Sequence, residues 1–118
     1  MFTCKNAAQN VANGIDWEIS FFDFTDSFRK ESEKEPLIAE QPNTTGHLKY
    51  DALLRSMVLY LCDEYNIQPP EWALQNMFLE HPWFVCELSR LYSYSLVETP
   101  ICFKQNNIFV LSNFMDRV

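Results

Sequence analysis

The sequence predicts an all-α fold: a compact, single-domain helical bundle around a central amphipathic helix. Three observations predict it. Between residues 47 and 65 apolar side chains step by three and four without a break. A second stripe recurs at helical spacing through Trp17, Phe21, Phe24 and Phe28. Only two glycines, no hairpin dipeptide and no period-two runs leave little from which to build a sheet. A chain of 118 residues falls within one domain, so 1–118 reads as a single unit with 1–14 as a peripheral N-terminal helix.

Residues 3–13 read as a short helix closed by Gly14, a residue suited to the left-handed conformation that ends helices. The next helix starts at Asp16, an N-cap type, and runs to about Lys30, with Ile19 and Phe22 widening its stripe. Glu35-Pro36 marks a boundary, because proline pushes its predecessor out of helix; residues 36–40 are one turn at most. Residues 42–46 are a loop by composition.

The helix over 47–65 buries Tyr50, Leu53, Leu54, Met57, Val58, Leu61, Cys62 and Tyr65. Its pattern places Lys49, Arg55, Ser56, Asp63 and Glu64 on the other side. After Pro69-Pro70, residues 71–79 are expected as a short helix with Leu74, Met77 and Phe78 inward. Residues 83–97 are expected as another, burying Phe84, Leu88, Leu91, Tyr92 and Leu96. Pro100 opens a C-terminal segment in which 107–110 read as extended and 112–114 as a last turn.

Apolar residues make up 47% and aromatics 15%, which is core-forming material that a disordered chain lacks. The net charge is -7. Such a surface suits basic protein faces rather than phosphate backbones, which need cations. The charge is uneven: residues 16–40 hold eight acids against three bases, a local charge of -5. That run reads either as a solvated helix face or as a docking surface for a cationic partner, with Asp16, Asp23, Asp26, Glu31 and Glu33 as candidate contacts.

Residues 1–14 lack the apolar stretch of a signal peptide, and no segment approaches the roughly 18 apolar residues of a membrane span. A cytoplasmic protein with reduced thiols is therefore expected. Cys62 and Cys86 are placed on apolar helix faces as small hydrophobes.

Chemistry is poorly represented. The cysteines lie tens of residues apart and the two histidines are distant, so no metal clamp is expected. His81, beside Pro82, reads as a partly buried structural histidine. No nucleophile elbow, phosphate loop or dinucleotide fingerprint occurs, and neither catalytic residues nor cofactors are assigned. The helix–turn–helix spacing over 50–79 carries no Lys or Arg after Arg55 and before Arg90, which argues against direct nucleic-acid binding. Trp72 and Trp83 admit two readings, core anchors at proline corners or aromatic hot spots for a partner.

Several landmarks recur in order. They are Leu37-Ile38-Ala39-Glu40-Gln41-Pro42 with Thr45-Gly46, Asp51-Ala52-Leu53-Leu54, and Tyr60-Leu61-Cys62 leading to Pro69-Pro70-Glu71-Trp72. Pro82-Trp83-Phe84, Val97-Glu98-Thr99-Pro100 and Phe103-Lys104-Gln105-Asn106-Asn107-Ile108-Phe109-Val110 follow, ending near Arg117-Val118. Together they resemble a group of small all-helical bacterial proteins often encoded beside a nucleotidyltransferase-like toxin gene. Some members of that group carry an added DNA-binding domain. The resemblance spans residues 21–118. The chain departs from that pattern in its richness in Phe and Asn and in lacking a basic N-terminal region.

The resemblance implies an antitoxin-like, non-enzymatic role: binding a basic protein partner of the nucleotidyltransferase-toxin type. The alternatives are a structural or regulatory subunit that forms a homodimer through its aromatic surface, and a small enzyme with a cryptic site.

Overall fold

Residues 1–116 are described by a computed structural model. α1 (Cys4–Ala12) and α2 (Trp17–Lys30) form an antiparallel pair, and a 3-10 turn at Glu35–Leu37 follows. α3 (Leu48–Glu64) is the longest helix. Then come the short α4 (Glu71–Leu74), β1 (Trp83–Phe84), a 3-10 turn at Ser89–Leu91, α5 (Tyr92–Glu98), α6 (Ile101–Lys104) and β2 (Ile108–Phe109). The radius of gyration is 13.5 Å, matching the roughly 13–14 Å of a single compact domain of this length.

α1 begins with a capping box in which the Thr3 hydroxyl and the Asn6 side chain each accept the other's backbone N–H. Gly14, at φ 100°, turns the chain into α2. The Ser20 hydroxyl donates to the Ala7 carbonyl at 2.9 Å and fixes α2 to α1. At the end of α2, Lys34 donates to the carbonyls of Phe28, Arg29 and Glu31, so a cation closes the helix's negative end.

α3 is central, as its stripe predicts, yet it is not amphipathic in its first half. Every residue from Asp51 to Val58 is buried. This corrects the placement of Arg55 and Ser56 on an outer face. Helices α1, α2, α4 and α6 surround this stretch, so its polar residues must find partners inside. The Asp51 carboxylate accepts from the Thr44 hydroxyl, the Thr45 N–H (2.8 Å) and the Thr45 hydroxyl (2.7 Å), which locks the loop before the helix.

The fold is mostly helical but not strictly all-α. β1 and β2 pair in parallel, Trp83 opposite Ile108 and Phe84 opposite Phe109. The expected helix over 83–97 is thus replaced by a strand, a 3-10 turn and α5. The reason is tertiary: Trp83 and Val85 donate their N–H groups to the carbonyls of Asn107 and Phe109, both at 3.0 Å. Aromatic residues suit such a pleated, half-buried position. Leu88 and Leu96, expected inside, are exposed, and Cys86 lies beyond the strand rather than on a helix face.

The expected helix over 71–79 likewise stops at Leu74. Asn106 takes over the backbone that a helix would have used: its side-chain carbonyl accepts from the Met77 N–H and its main-chain carbonyl from Leu79. Leu74 and Phe78 consequently face outward, while Met77 packs against the core. His81 is exposed rather than partly buried. Residues 111–116 form hydrogen-bonded turns, and Arg117-Val118 lie outside the described residues.

Candidate protein-interaction site

Three helix or strand starts converge on one surface. Asp16 caps α2 by accepting the Glu18 N–H at 2.9 Å, which places Trp17 in the first turn. Tyr50 lies in the first turn of α3, and Trp83 opens β1. The three rings form a triangle, each half-buried. Trp17 and Tyr50 stack with centroids 6.0 Å apart; Trp83 meets Trp17 edge-on at 5.8 Å and Tyr50 at 5.9 Å.

Glu18, Val85 and Glu87 join these rings and Lys49 around an open hollow of about 340 Å³. A second hollow of about 310 Å³ shares Trp17 and Tyr50 and adds Ile15, Asp16 and His47. The Lys49 ammonium lies 5.2 Å from the Tyr50 ring and 5.1 Å from that of Trp83. Aromatic faces carry negative potential, and two carboxylates beside them add to it. The arrangement suits a cation, and the exposed Lys49 places its own ammonium there.

Of the residues singled out in the sequence, Asp16 and Trp83 are brought to this surface. Trp72 is not: it is buried, and its indole N–H donates to the Ile38 carbonyl at 3.0 Å, so it anchors the core. Asp23 and Asp26 lie along α2, Glu31 caps its far end, and Glu33 follows. A helix of 14 residues is about 21 Å long, so these acids make a stripe rather than a cluster. Asp23, Glu31 and Glu33 are exposed and enter no ion pair among the described residues.

The bases of that segment are partly spent internally. Arg29 grips Glu64 with two hydrogen bonds of 2.9 Å and donates to the Met115 carbonyl. Burial alone would lower its pKa, but the Glu64 bond and charge outweigh this and raise it. Lys34 caps α2 and sits 4.5 Å over Tyr65.

Trp17, Glu18, Lys49, Tyr50 and Glu87 were not legible as site residues. Trp17 and Tyr50 read as ends of core stripes. The available signal was that both stand in a helix's first turn, where a stripe runs out to the surface.

Three of the four thiols are poor nucleophiles. Burial pushes Cys4 up to about 12, Cys62 to about 11 and Cys102 to about 12, which keeps them protonated. No cluster of three His, Cys, Asp or Glu side chains suited to a metal occurs among the described residues. No helix among them is long and apolar enough to cross a membrane. No protein-family profile, curated protein or solved structure matches the chain.

Proposed function

We propose that the protein is a non-enzymatic binding domain, antitoxin-like, that docks a basic protein partner on its acidic and aromatic surface. The observation that carries this reading is the Trp17–Tyr50–Trp83 triangle with Glu18 and Glu87 at its rim. Half-buried aromatics supply desolvated contact area, and the rim acids favour a Lys or Arg of the partner in place of the exposed Lys49 ammonium. The exposed acids of α2 extend the same sign of charge along the approach path. The partner class, a nucleotidyltransferase-type toxin, follows from the sequence resemblance. An acidic domain suits such a partner because it can cover a surface built for polyphosphate or RNA.

Surface plasmon resonance against the product of the neighbouring gene tests it. Saturable binding, weakened about tenfold or more by Trp83→Ala and by Glu87→Lys, is expected. Absence of binding, or equal binding by both variants, overturns the reading.

A second reading, a dimerising subunit, is favoured by a different surface. An open groove of about 790 Å³ between the end of α3, the Pro69 loop and α6 is lined by Ile67, Leu74, Ile101 and Cys102. Ile101 is 80% exposed there. Light scattering distinguishes the two: a dimer dissociated by Ile101→Glu supports this reading, and a wild-type monomer removes it.

A further inference from the structure

Arg55 is a cation inside the protein that forms no salt bridge among the described residues, although the charge of Asp51 acts on it. The residue is only 8% exposed, and its Nε is buried with no hydrogen-bond partner. Among the described residues its one hydrogen bond runs from Nη1 to the Asp51 carbonyl at a long 3.4 Å. Asp51, the acid closest in sequence, has its carboxylate occupied by Thr44 and Thr45. Trp72 stacks 5.7 Å from the guanidinium and is itself pinned to Ile38. Nε is therefore held in place without a partner, and Nη2 beside it makes no hydrogen bond to the protein among the described residues. Taking a charged group out of water in this way is unfavourable unless something pairs with it.

That something has a place to sit. Arg55 lines a cavity of about 170 Å³ whose walls include Gln41, Asn43, Thr44, Trp72 and Met77. An engineered apolar cavity of about 150 Å³ holds a benzene, so this one admits a ligand of about six non-hydrogen atoms. The Nε–Nη2 edge of an arginine matches the two oxygens of a carboxylate. Asp51 also lines the cavity, so the site offers one fixed cation beside one fixed anion, which disfavours a dianion. Trp72, Met77, Leu54 and Ala8 supply apolar wall for a short hydrocarbon tail.

We propose that this cavity is a binding site for a small free monocarboxylate, held side-on by the Nε and Nη2 of Arg55. The site lies apart from the aromatic triangle, with which it shares no lining residue. It stands independently of the docking function above.

Titration with sodium butyrate, followed by the arginine Nε–H resonances in nitrogen-15 NMR, tests it. Sodium chloride at matched ionic strength is the control. The chain has four arginines, and Arg55→Lys assigns the Arg55 signal by its disappearance. A saturable shift of that signal with butyrate, absent with chloride, is expected. Asn43→Phe, a substitution on an exposed loop that fills the cavity from its wall, should weaken binding about tenfold while leaving thermal unfolding unchanged. No saturable shift of the Arg55 signal, or undiminished binding in a folded Asn43→Phe, overturns the site. Tighter binding of inorganic phosphate overturns the ligand class. Tighter binding of an acetylated tripeptide with a free C-terminus, lost on amidation, overturns the assignment to a free small molecule.

Discussion

The side-chain amide of Asn106 donates to the Ser56 hydroxyl at 2.9 Å, joining residues fifty apart in sequence at the centre of the molecule. Both side chains are buried, and Asn106 also accepts from the Met77 N–H and, through its main chain, from Leu79. One asparagine thus couples α3, the loop after α4 and the strand pair. Asn107 beside it adopts φ 63°, and its amide donates to the Leu79 carbonyl at 2.8 Å.

Asn106→Ala should therefore destabilise the fold by about 2–3 kcal/mol, since it leaves the Met77 N–H and the Ser56 hydroxyl without their partner inside the protein. Urea denaturation followed by circular dichroism measures it. A loss under about 0.5 kcal/mol would mean that water replaces the amide and that the latch is peripheral.

Leu61 of α3 and Ile101 of α6 make a sharper contrast. Leu61 is fully buried, and Leu61→Ala should cost about 2–5 kcal/mol, the span set by how far the site collapses. Ile101, 80% exposed, should tolerate alanine within about 0.5 kcal/mol. Thermal melts giving Leu61→Ala a loss well under about 1 kcal/mol would place that face of α3 at the surface.

What was legible in the sequence divides along local and long-range lines. The stripes of α2 and α3 and the caps at Asp16 and Gly14 are local signals, and the structure follows them except at Ile19 and Tyr65, which are exposed. The helical periodicity of residues 71–79 and 83–97 is overruled from a distance. Asn106 and Asn107 supply hydrogen bonds to these segments from the C-terminal part of the chain, which no window of sequence reveals. The extended reading of residues 107–110 holds at β2 but not at Asn107, whose φ of 63° belongs to a turn, and the partner strand carries no local signal. At Arg55 charge alone argues for solvent; only the surrounding helices enclose it. The aromatic triangle is assembled from three separate elements, so periodicity assigned its members to the core one at a time.

The buried Cys4 and Cys62 and the half-buried Cys102 predict an alkaline limit to stability. Cys4, Cys62 and Cys102 have folded pKa values of about 12, 11 and 12 against an ordinary 9.0. Below about pH 8 both folded and unfolded chains hold these protons, and the thiols add no pH dependence. Above pH 9 the unfolded chain releases them first, so stability falls as pH rises toward 11–12. Cys4→Ala with Cys62→Ala should flatten that decline in urea titrations at pH 8 and 10. An equal decline in the double variant would assign it to tyrosines and lysines instead. In native protein at pH 8, iodoacetamide should reach the half-buried Cys86 before Cys4 or Cys62, which mass spectrometry resolves.

The acidic stripe of α2 gives the last prediction, which depends on the proposed partner. Asp23, Glu31 and Glu33 are exposed and outside any ion pair among the described residues, so their field reaches into solvent. Exposed charges set association rate more than affinity, whereas the aromatic triangle would hold the complex once formed. Reversing Asp23 and Glu33 to Lys should slow association several-fold at low ionic strength and leave dissociation nearly unchanged. Asp26 is better left intact, being half-buried. At 1 M salt, where screening shortens the reach of charge to about 3 Å, the variant and wild type should associate alike. Trp83→Ala should show the opposite pattern, faster dissociation with little salt dependence. Association unchanged by the reversal at low salt, with the helical circular dichroism intact, would reduce the α2 acids to solvated surface and leave the triangle as the contact.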